Sequence, residues 1–231
     1  MSVIVSVVAE NTARVISCFD ISAQSVDEQM LAVFEDIVPK ATKIGMLPSK
    51  ELMACIAQNL RRFKPENVVI DPVMFAKNGY ALMPPQNCEF FAQTMLEFAD
   101  ILTPNIPEAE FLCGFEIKDE NAMIKAAKAL CQKGAKAVLL KGGHRKDNAN
   151  DIFFDGKEIH LLESKRIDTK NTHGTGCTLS SAIASNLALG KDKLGAVKAA
   201  KEYVFGAILH SLSLGKGCGP TNHFYKFLEN D

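Results

Sequence analysis

Short runs of β-branched and other apolar residues alternate along the chain with longer stretches in which apolar residues recur at helical spacing. The short runs predict strands at residues 1–9, 43–47, 68–73, 101–105 and 137–143, and those at 1–9 and 68–73 are expected to be buried. The longer stretches predict helices at residues 25–37, 52–63, 91–98, 123–134, 179–190 and 194–208. A capping-box pattern of Ser25 and Glu28 marks the start of the first helix. An Asp155-Gly156 turn predicts a hairpin over residues 151–161.

This repeated alternation of strands and helices predicts an α/β fold. The expected architecture is a three-layer αβα sandwich, in which a mainly parallel central sheet is covered by helices on both faces. The chain contains no linker, internal repeat or low-complexity segment. We therefore expect residues 1–231 to form a single domain.

A polar side chain lies at the end of each of three consecutive predicted strands. These side chains are Asp71, Asn105 and Lys141. In parallel α/β sheets, ligands bind beyond the carboxyl ends of the strands. The three residues therefore mark the expected ligand-binding edge.

The segment from Asn171 to Thr178 reads Asn-Thr-His-Gly-Thr-Gly-Cys-Thr and leads directly into a predicted helix. Backbone N–H groups in a helix's first turn lack internal acceptors, and the helix dipole places partial positive charge there. Gly174, Thr175 and Gly176 are thus predicted to close on an anion such as a phosphoryl group. Cys177 is a candidate base in the same turn, where this field favours a thiolate. The alternative is a glycine-rich turn that caps an ordinary helix and buries Cys177 as a small apolar residue.

Asn105 and Glu108 form an N-x-x-E pattern at a strand end that enters a helix. Their oxygens can hold Mg²⁺ directly or through water, because Mg²⁺ prefers hard oxygen ligands and keeps several waters. On spacing alone, a helix start capped by Asn105 and complemented by Glu108 is the better interpretation.

Three further segments offer groups for a nucleotide. Lys77 can pair with a phosphate as a point charge, and Lys141-Gly142-Gly143-His144 combines a cation with backbone that a nucleotide can approach. The loop Gly215-x-Gly217-x-Gly219 can line the same site. Each has a plainer alternative, respectively a solvated lysine, a tight turn and a flexible connector.

Composition narrows the possible functions. Twenty-six basic and 27 acidic residues give a formal charge of −1, so no global attraction to nucleic acid or anionic membrane is expected. The apolar N-terminal run is too short to span a bilayer. Seven cysteines without a C-x-x-C pair suit neither a disulfide framework nor a zinc site and favour the reducing cytoplasm. The absence of G-x-x-x-x-G-K-[ST], and of G-x-G-x-x-G after the first strand, argues against Walker-type NTPases and dinucleotide-binding Rossmann enzymes.

Taken together and in order, these segments resemble the phosphomethylpyrimidine kinases of thiamin synthesis, within the ribokinase-like superfamily. The resemblance extends over almost the whole chain, and its most specific element is the Asn-Thr-His-Gly-Thr-Gly-Cys run. It is carried by residues 8–12, 43–47, 71–74, 103–110, 141–144, 171–178 and 219–223.

The resemblance implies a ribokinase-like fold and ATP-dependent phosphorylation of 4-amino-5-hydroxymethyl-2-methylpyrimidine and then of its monophosphate. It implies that Cys177 replaces the aspartate base of related sugar kinases, with Gly174, Thr175 and Gly176 as the anion hole. Asn105 and Glu108 would organise Mg²⁺. The residues that it assigns to ATP are Lys77, Lys141, Gly143, Thr172 and Gly219, and those that it assigns to the pyrimidine are Glu10, Met46 and Cys177. It also implies a homodimer.

The chain departs from the family pattern in two places. Family members begin with a strand ending in Gly-Ser-Asp, then a Gly-Gly turn and a helix, which bind the pyrimidine alcohol. This chain starts at what resembles the second strand, so we expect either a start upstream of Met1 or weakened substrate binding. Glu10 stands where family sequences commonly carry Gln. An ionised Glu only accepts hydrogen bonds, so it favours a ring with two donors or a protonated ring nitrogen.

Three other functions stay open at the level of sequence. Pyridoxine or pyridoxal is an alternative substrate, since pyridoxal kinases share this superfamily. Cys177 and His173 can act as nucleophile and base in acyl transfer, although no third, orienting residue is evident. A non-catalytic pyrimidine- or nucleotide-binding module is favoured by the unmatched N-terminal segment, while Cys177, Asn105 and Glu108 weigh against it.

Overall fold

The computed structural model of the chain describes residues 1–76, 79–143 and 149–227. Its strands are β1 (Ser6–Glu10), β2 (Val15–Asp20), β3 (Thr42–Ile44), β4 (Val68–Ile70), β5 (Ile101–Leu102), β6 (Val138–Leu140), β7 (Asp151–Phe154) and β8 (Ile159–Leu162). The last six form one sheet in the order β3-β4-β5-β6-β7-β8. The pairs from β3 to β6 are parallel, and the β6-β7 and β7-β8 pairs are antiparallel.

Helices cover both faces of this sheet. They are α1 (Ala23–Asp36), α2 (Lys50–Phe63), α3 (Pro85–Met95), α4 (Ile106–Cys113), α5 (Glu120–Gln132), α6 (Thr175–Ala188) and α7 (Lys193–Leu209). Because successive strand residues point to opposite faces, Val68 and Ile70 of β4 join the apolar core under α1 to α5, while Val69 joins the core under α6 and α7. The predicted αβα sandwich with a mainly parallel sheet is confirmed.

Side-chain caps explain where several helices begin. The hydroxyl of Ser49 accepts the Leu52 N–H at the start of α2, at 3.2 Å. At the start of α1, the hydroxyl of Ser22 accepts the Ser25 N–H, also at 3.2 Å. The predicted capping box of Ser25 and Glu28 is therefore wrong, because the earlier hydroxyl of Ser22 caps the helix first.

The prediction of a buried strand at residues 1–9 is also wrong. β1 and β2 form a separate two-stranded antiparallel sheet. Its cross-strand pair Val7 and Phe19 is 55% and 70% exposed. The β-branched run indicates a strand but does not fix its burial, and the residues that do pack against the core, Val3 and Val5, precede the strand. We call residues 6–20 the flap.

The remaining elements follow the sequence pattern closely. The hairpin of β7 and β8 is confirmed, with Gly156 at φ 97° and the Asp155 carboxylate accepting the N–H groups of Lys157 and Glu158. The helix predicted at residues 91–98 begins earlier, at Pro85, and its α-helical part ends at Met95. Within the described residues, no helix has the length and apolar character needed to cross a membrane.

Candidate active site

A buried ion pair lies at the carboxyl edge of the parallel strands. Lys141, which follows β6, places its Nζ 2.9 Å from Oδ1 of Asp71, which follows β4. Two hydroxyls donate to the same carboxylate: Thr103 Oγ1 to Oδ1 at 3.2 Å, and Ser180 Oγ to Oδ2 at 3.4 Å. Strand ends that are separate in sequence thus meet at one point, with Ser180 reaching them from α6.

The charge of Lys141 is held in place by acidic neighbours. Burial lowers the pKa of its ammonium group, but the carboxylates of Asp71 and Glu108 and the thiol of Cys177 together outweigh burial, so the pKa is raised. Lys141 therefore stays cationic at neutral pH, next to the first turn of α6.

Asn105 and Glu108 form a reciprocal capping box at the start of α4. Asn105 Oδ1 accepts the Glu108 N–H at 2.9 Å, and Glu108 Oε2 accepts the Asn105 N–H at 2.8 Å. Asn105 also forms a parallel β-bridge with Lys141, which brings this box to the ion pair. The alternative of a capped helix start is thus present in the structure, and it leaves lone pairs on both side-chain groups.

The surroundings of Glu108 also perturb its carboxyl group. Burial raises the pKa of its carboxyl to about 7, against the lowering effects of Lys141 and of the N–H groups of Asn105 and Met74. Burial thus disfavours the ionised form of this carboxyl. The side-chain oxygens of Asn105 and Glu108 are hard donors of the kind that Mg²⁺ prefers, so this pair fits the ion.

The first turn of α6 faces this cluster. Gly174 precedes the helix in the left-handed region at φ 82°, and its carbonyl accepts both the N–H and the hydroxyl of Thr178. Among the described residues, the N–H groups of Gly176 and Cys177 have no acceptor. A Cβ placed on Gly176 would lie 3.5 Å from Lys141 Nζ and 3.6 Å from Asp71 Oδ2. Free amides and a buried cation therefore border the same space, as an anion-binding site requires.

Cys177 stands at the edge of that space. Its side chain is exposed, which rules out the alternative of a buried apolar cysteine. Within the described part of the chain, no hydrogen bond joins its thiol to the His173 imidazole. The pairing that acyl transfer needs is therefore not formed.

The glycine loop near the C-terminus and the flap both reach the segment that precedes α6. Gly219 donates its N–H to Asn171 Oδ1 at 3.1 Å and accepts the His173 N–H at 3.0 Å. Glu10, at the end of β1, places Oε1 3.8 Å from His173 Nε2. Glu10 and Gly219, which lie far apart in sequence, therefore meet at the same turn.

The other residues predicted for the site have no described contact with the Lys141–Asp71 pair. The carbonyl of Thr172 accepts the N–H and the hydroxyl of Thr175, so the amide of Thr175, which was predicted to belong to the anion hole, already has an acceptor and is not free for an anion. Met46 lies half-buried just beyond β3, at the same edge of the sheet. Gly143 is exposed and its carbonyl accepts from Arg166 at 3.4 Å, whereas Lys77 and His144 lie outside the described residues.

Sequence reasoning did not single out Thr103 and Ser180. Both are fully buried, and both direct a hydroxyl at Asp71. A signal was available for Ser180, because it follows Gly176 by one helical turn on α6 and therefore shares its face. Thr103 directly follows β5, where strand-end side chains reach the ligand edge.

We expect Glu108 to lower the stability of the protein as pH rises from about 5 to about 8. Its folded-state pKa of about 7 lies above the ordinary 4.5, so the folded state binds the proton more tightly and loses this advantage as pH rises through that interval. The free energy of unfolding of the wild type, relative to Glu108→Gln, should therefore decrease by up to roughly 3 kcal/mol. Urea denaturation at several pH values measures it. Glu116→Gln, at an exposed carboxylate, should show no such trend, and a Glu108→Gln difference independent of pH would contradict the raised pKa.

Comparisons with known proteins find phosphomethylpyrimidine kinases and, among solved structures, a pyridoxal kinase. The family description "Phosphomethylpyrimidine kinase" matches residues 1–222. The chain is 46% identical to the hydroxymethylpyrimidine/phosphomethylpyrimidine kinase of Rhizobium meliloti (strain 1021), over 98% of this chain and 86% of the relative. It is similar to the crystal structure of phosphomethylpyrimidine kinase from Clostridium difficile 630, with 40% identity and a TM-score of 0.81 over 90% of this chain and 86% of that one. It is also similar to an ADP complex of Bacillus subtilis pyridoxal kinase, with 34% identity and a TM-score of 0.91 over 99% of this chain and 88% of that one.

Proposed function

The chain belongs to the phosphomethylpyrimidine kinase family, and we propose that its site acts on 4-amino-5-hydroxymethyl-2-methylpyrimidine and on the monophosphate of that compound. It is a phosphotransferase of thiamin biosynthesis that uses ATP. One observation carries the assignment of the site: the free amides of the α6 turn lie against the buried Lys141–Asp71 pair, with the Cys177 thiol exposed beside them.

The α6 turn stabilises charge on the transferring phosphoryl group. The N–H groups of Gly176 and Cys177 point where that charge develops, and Gly174 sets the turn that aims them. The Lys141 ammonium group, which borders the same space, offsets the same negative charge. A single preorganised donor of this kind is worth about 2.7–4 kcal/mol, so this turn supplies a large part of the rate enhancement.

Cys177 takes the proton of the attacking hydroxyl. As the substrate oxygen bonds to the γ-phosphorus and the bond to the ADP oxygen breaks, the hydroxyl proton passes to the thiolate form of Cys177, which becomes the neutral thiol. Phosphoryl transfer is largely dissociative, so this proton leaves late and a weak base suffices.

Glu10 and Met46 bind the pyrimidine ring in this proposal, while Lys77, Gly143, Thr172 and Gly219 belong to the ATP side.

Asn105 and Glu108 hold Mg²⁺ in this proposal. When bound, the ion neutralises phosphate charge. Two features support this placement: the capping box fixes both side chains, and it leaves lone pairs on their oxygens.

The test is product formation from the chain, hydroxymethylpyrimidine, ATP and Mg²⁺, followed by mass spectrometry. The monophosphate and then the diphosphate should accumulate with matching ADP. ADP release without phosphorylated pyrimidine, or no turnover by folded protein that binds ATP, would contradict the proposal.

Pyridoxal is a second candidate substrate, because the TM-score of 0.91 to a pyridoxal kinase exceeds that of 0.81 to a phosphomethylpyrimidine kinase. The same assay with pyridoxal decides this. A higher kcat/KM for pyridoxal than for hydroxymethylpyrimidine would make it the main substrate.

We also propose a single kinase domain that forms a homodimer in the cytoplasm. The exposed Val7, Ile16 and Phe19 of the flap support an interface, and the seven unpaired cysteines support a reducing compartment. Sedimentation equilibrium tests the dimer.

A further inference from the structure

The tip of the flap is fastened to the glycine loop by Thr12. The Cys218 N–H donates to the Thr12 carbonyl at 3.0 Å, and the Gly217 N–H donates to Thr12 Oγ1 at 3.2 Å. One residue of the flap therefore accepts hydrogen bonds from the N–H groups of two consecutive loop residues. These bonds join parts of the chain that are 205 residues apart.

The approach is too close for any side chain on the loop. A Cβ on Gly217 would lie 2.0 Å from the Thr12 carbonyl oxygen and 2.7 Å from Cα of Ala13. Such distances are not possible for real atoms, so the loop can reach Thr12 only with glycine at this position. The glycine pattern Gly215-x-Gly217 thus has a specific partner in the flap.

The same loop holds the turn before α6. Just beyond the Thr12 contact, Gly219 exchanges hydrogen bonds with Asn171 and His173. Glu10 approaches His173 from the flap side, with 3.8 Å between Oε1 and Nε2. The flap contacts the loop, the loop contacts the anion-binding turn, and that turn lies next to Glu10 of the flap, so the three segments are linked to one another.

The position of the flap depends on its contacts with the rest of the chain. A two-stranded hairpin is marginally stable on its own, and both strands expose large apolar side chains, such as Val7 and Phe19. Its position, and with it the position of Glu10, depends on contacts at its base and at its tip. At the tip, residues 11–14, the hydrogen bonds to the rest of the described chain are those of Thr12.

We propose that Thr12 is a positioning residue that couples the flap to the phosphoryl-binding turn, so that the pyrimidine and nucleotide sites take their final geometry together. This inference rests on the proposed function, in which Glu10 contacts the pyrimidine. Thr12 itself touches no reacting atom. It acts through Gly217 and Cys218 on the loop, and through Glu10 on the substrate.

Steady-state kinetics of three variants test the positioning role. Thr12→Val keeps the shape but removes Oγ1, and it should raise KM for hydroxymethylpyrimidine about fivefold while kcat changes less than twofold, as the loss of one hydrogen bond predicts. Thr12→Ser keeps the hydroxyl and should restore wild-type KM. Ser17→Ala is the matched control, because it removes an exposed flap hydroxyl that has no hydrogen bond within the described residues. Unchanged KM in Thr12→Val, or equal defects in the Val and Ser variants, would overturn the role of the hydroxyl.

Hydrogen exchange tests the coupling without relying on turnover. A non-hydrolysable ATP analogue with Mg²⁺ should slow amide exchange in residues 10–14 of the wild type, and this protection should be lost in Thr12→Val and in Gly217→Ala, whose Cβ forces loop and flap apart. If the analogue protects residues 171–178 but leaves the flap unchanged in the wild type, the coupling is wrong. If the flap responds but no pyrimidine is phosphorylated, the proposed function fails while the coupling stands.

Discussion

Replacing Lys141 by methionine is expected to lower kcat/KM by roughly a hundredfold or more. The change removes the cation that lies below the α6 turn, and it leaves Asp71 and Glu108 without their shared partner. Breaking a buried pair in this way typically costs about 3–5 kcal/mol of stability. The loss of stability should be larger at pH 8 than at pH 6. At pH 6 Glu108 takes up a proton, so one of the two uncompensated negative charges disappears.

The measurement compares Lys141→Met with Lys136→Met by urea denaturation and by initial rates. Lys136 also pairs with an aspartate, Asp100, at 2.8 Å, but its side chain is 60% exposed. Exposed pairs contribute at most about 1 kcal/mol, so the control should keep its activity and nearly all of its stability. Equal effects of the two substitutions would show that the buried position of Lys141 has no special importance.

Replacing Cys177 by alanine is expected to lower kcat by about a hundredfold or more, as the loss of a general base does. Nucleotide binding should hardly change, because the amides of the α6 turn belong to the backbone and remain in place. Stability should also be kept, since the thiol is exposed and fills no core space.

Titration calorimetry with an ATP analogue and initial rates separate binding from turnover. Cys177→Asp tests whether the group acts as a base, because a carboxylate in the same turn should recover part of the lost rate. Cys131→Ala is the control, at a half-buried cysteine near the end of α5. Full activity in Cys177→Ala would show that another group takes the proton.

The sequence allowed the centre of the site to be predicted because that centre depends on two simple rules. Strand ends of a parallel sheet share one edge, which brought Asp71, Asn105 and Lys141 together. Glycines before an apolar helix leave free amides, which the sequence placed at Gly174, Thr175 and Gly176 and which the structure has at Gly176 and Cys177. Both rules act locally and need no knowledge of distant packing.

The features that the sequence did not reveal depend on contacts between residues that are far apart in the chain. The contact of Thr12 with Gly217 joins residues that are 205 positions apart in the chain, and no local pattern encodes it. The hydroxyls of Thr103 and Ser180 reach the Asp71 carboxylate only once the fold has brought their segments together. The flap was misjudged for a related reason, since β-branched residues favour a strand whether its face meets a core or water.

The order of the central sheet bears on how the protein forms during synthesis. Each strand from β3 to β8 pairs with the strand that follows it in the chain, so the sheet can grow strand by strand as the ribosome delivers it. The α6 helix, however, packs on β3 and β4, near the opposite edge of the sheet from the strand made just before it. Until that helix emerges and folds back, Asp71 and Lys141 stay open to water. A nascent chain therefore has most of its sheet long before it can transfer a phosphoryl group.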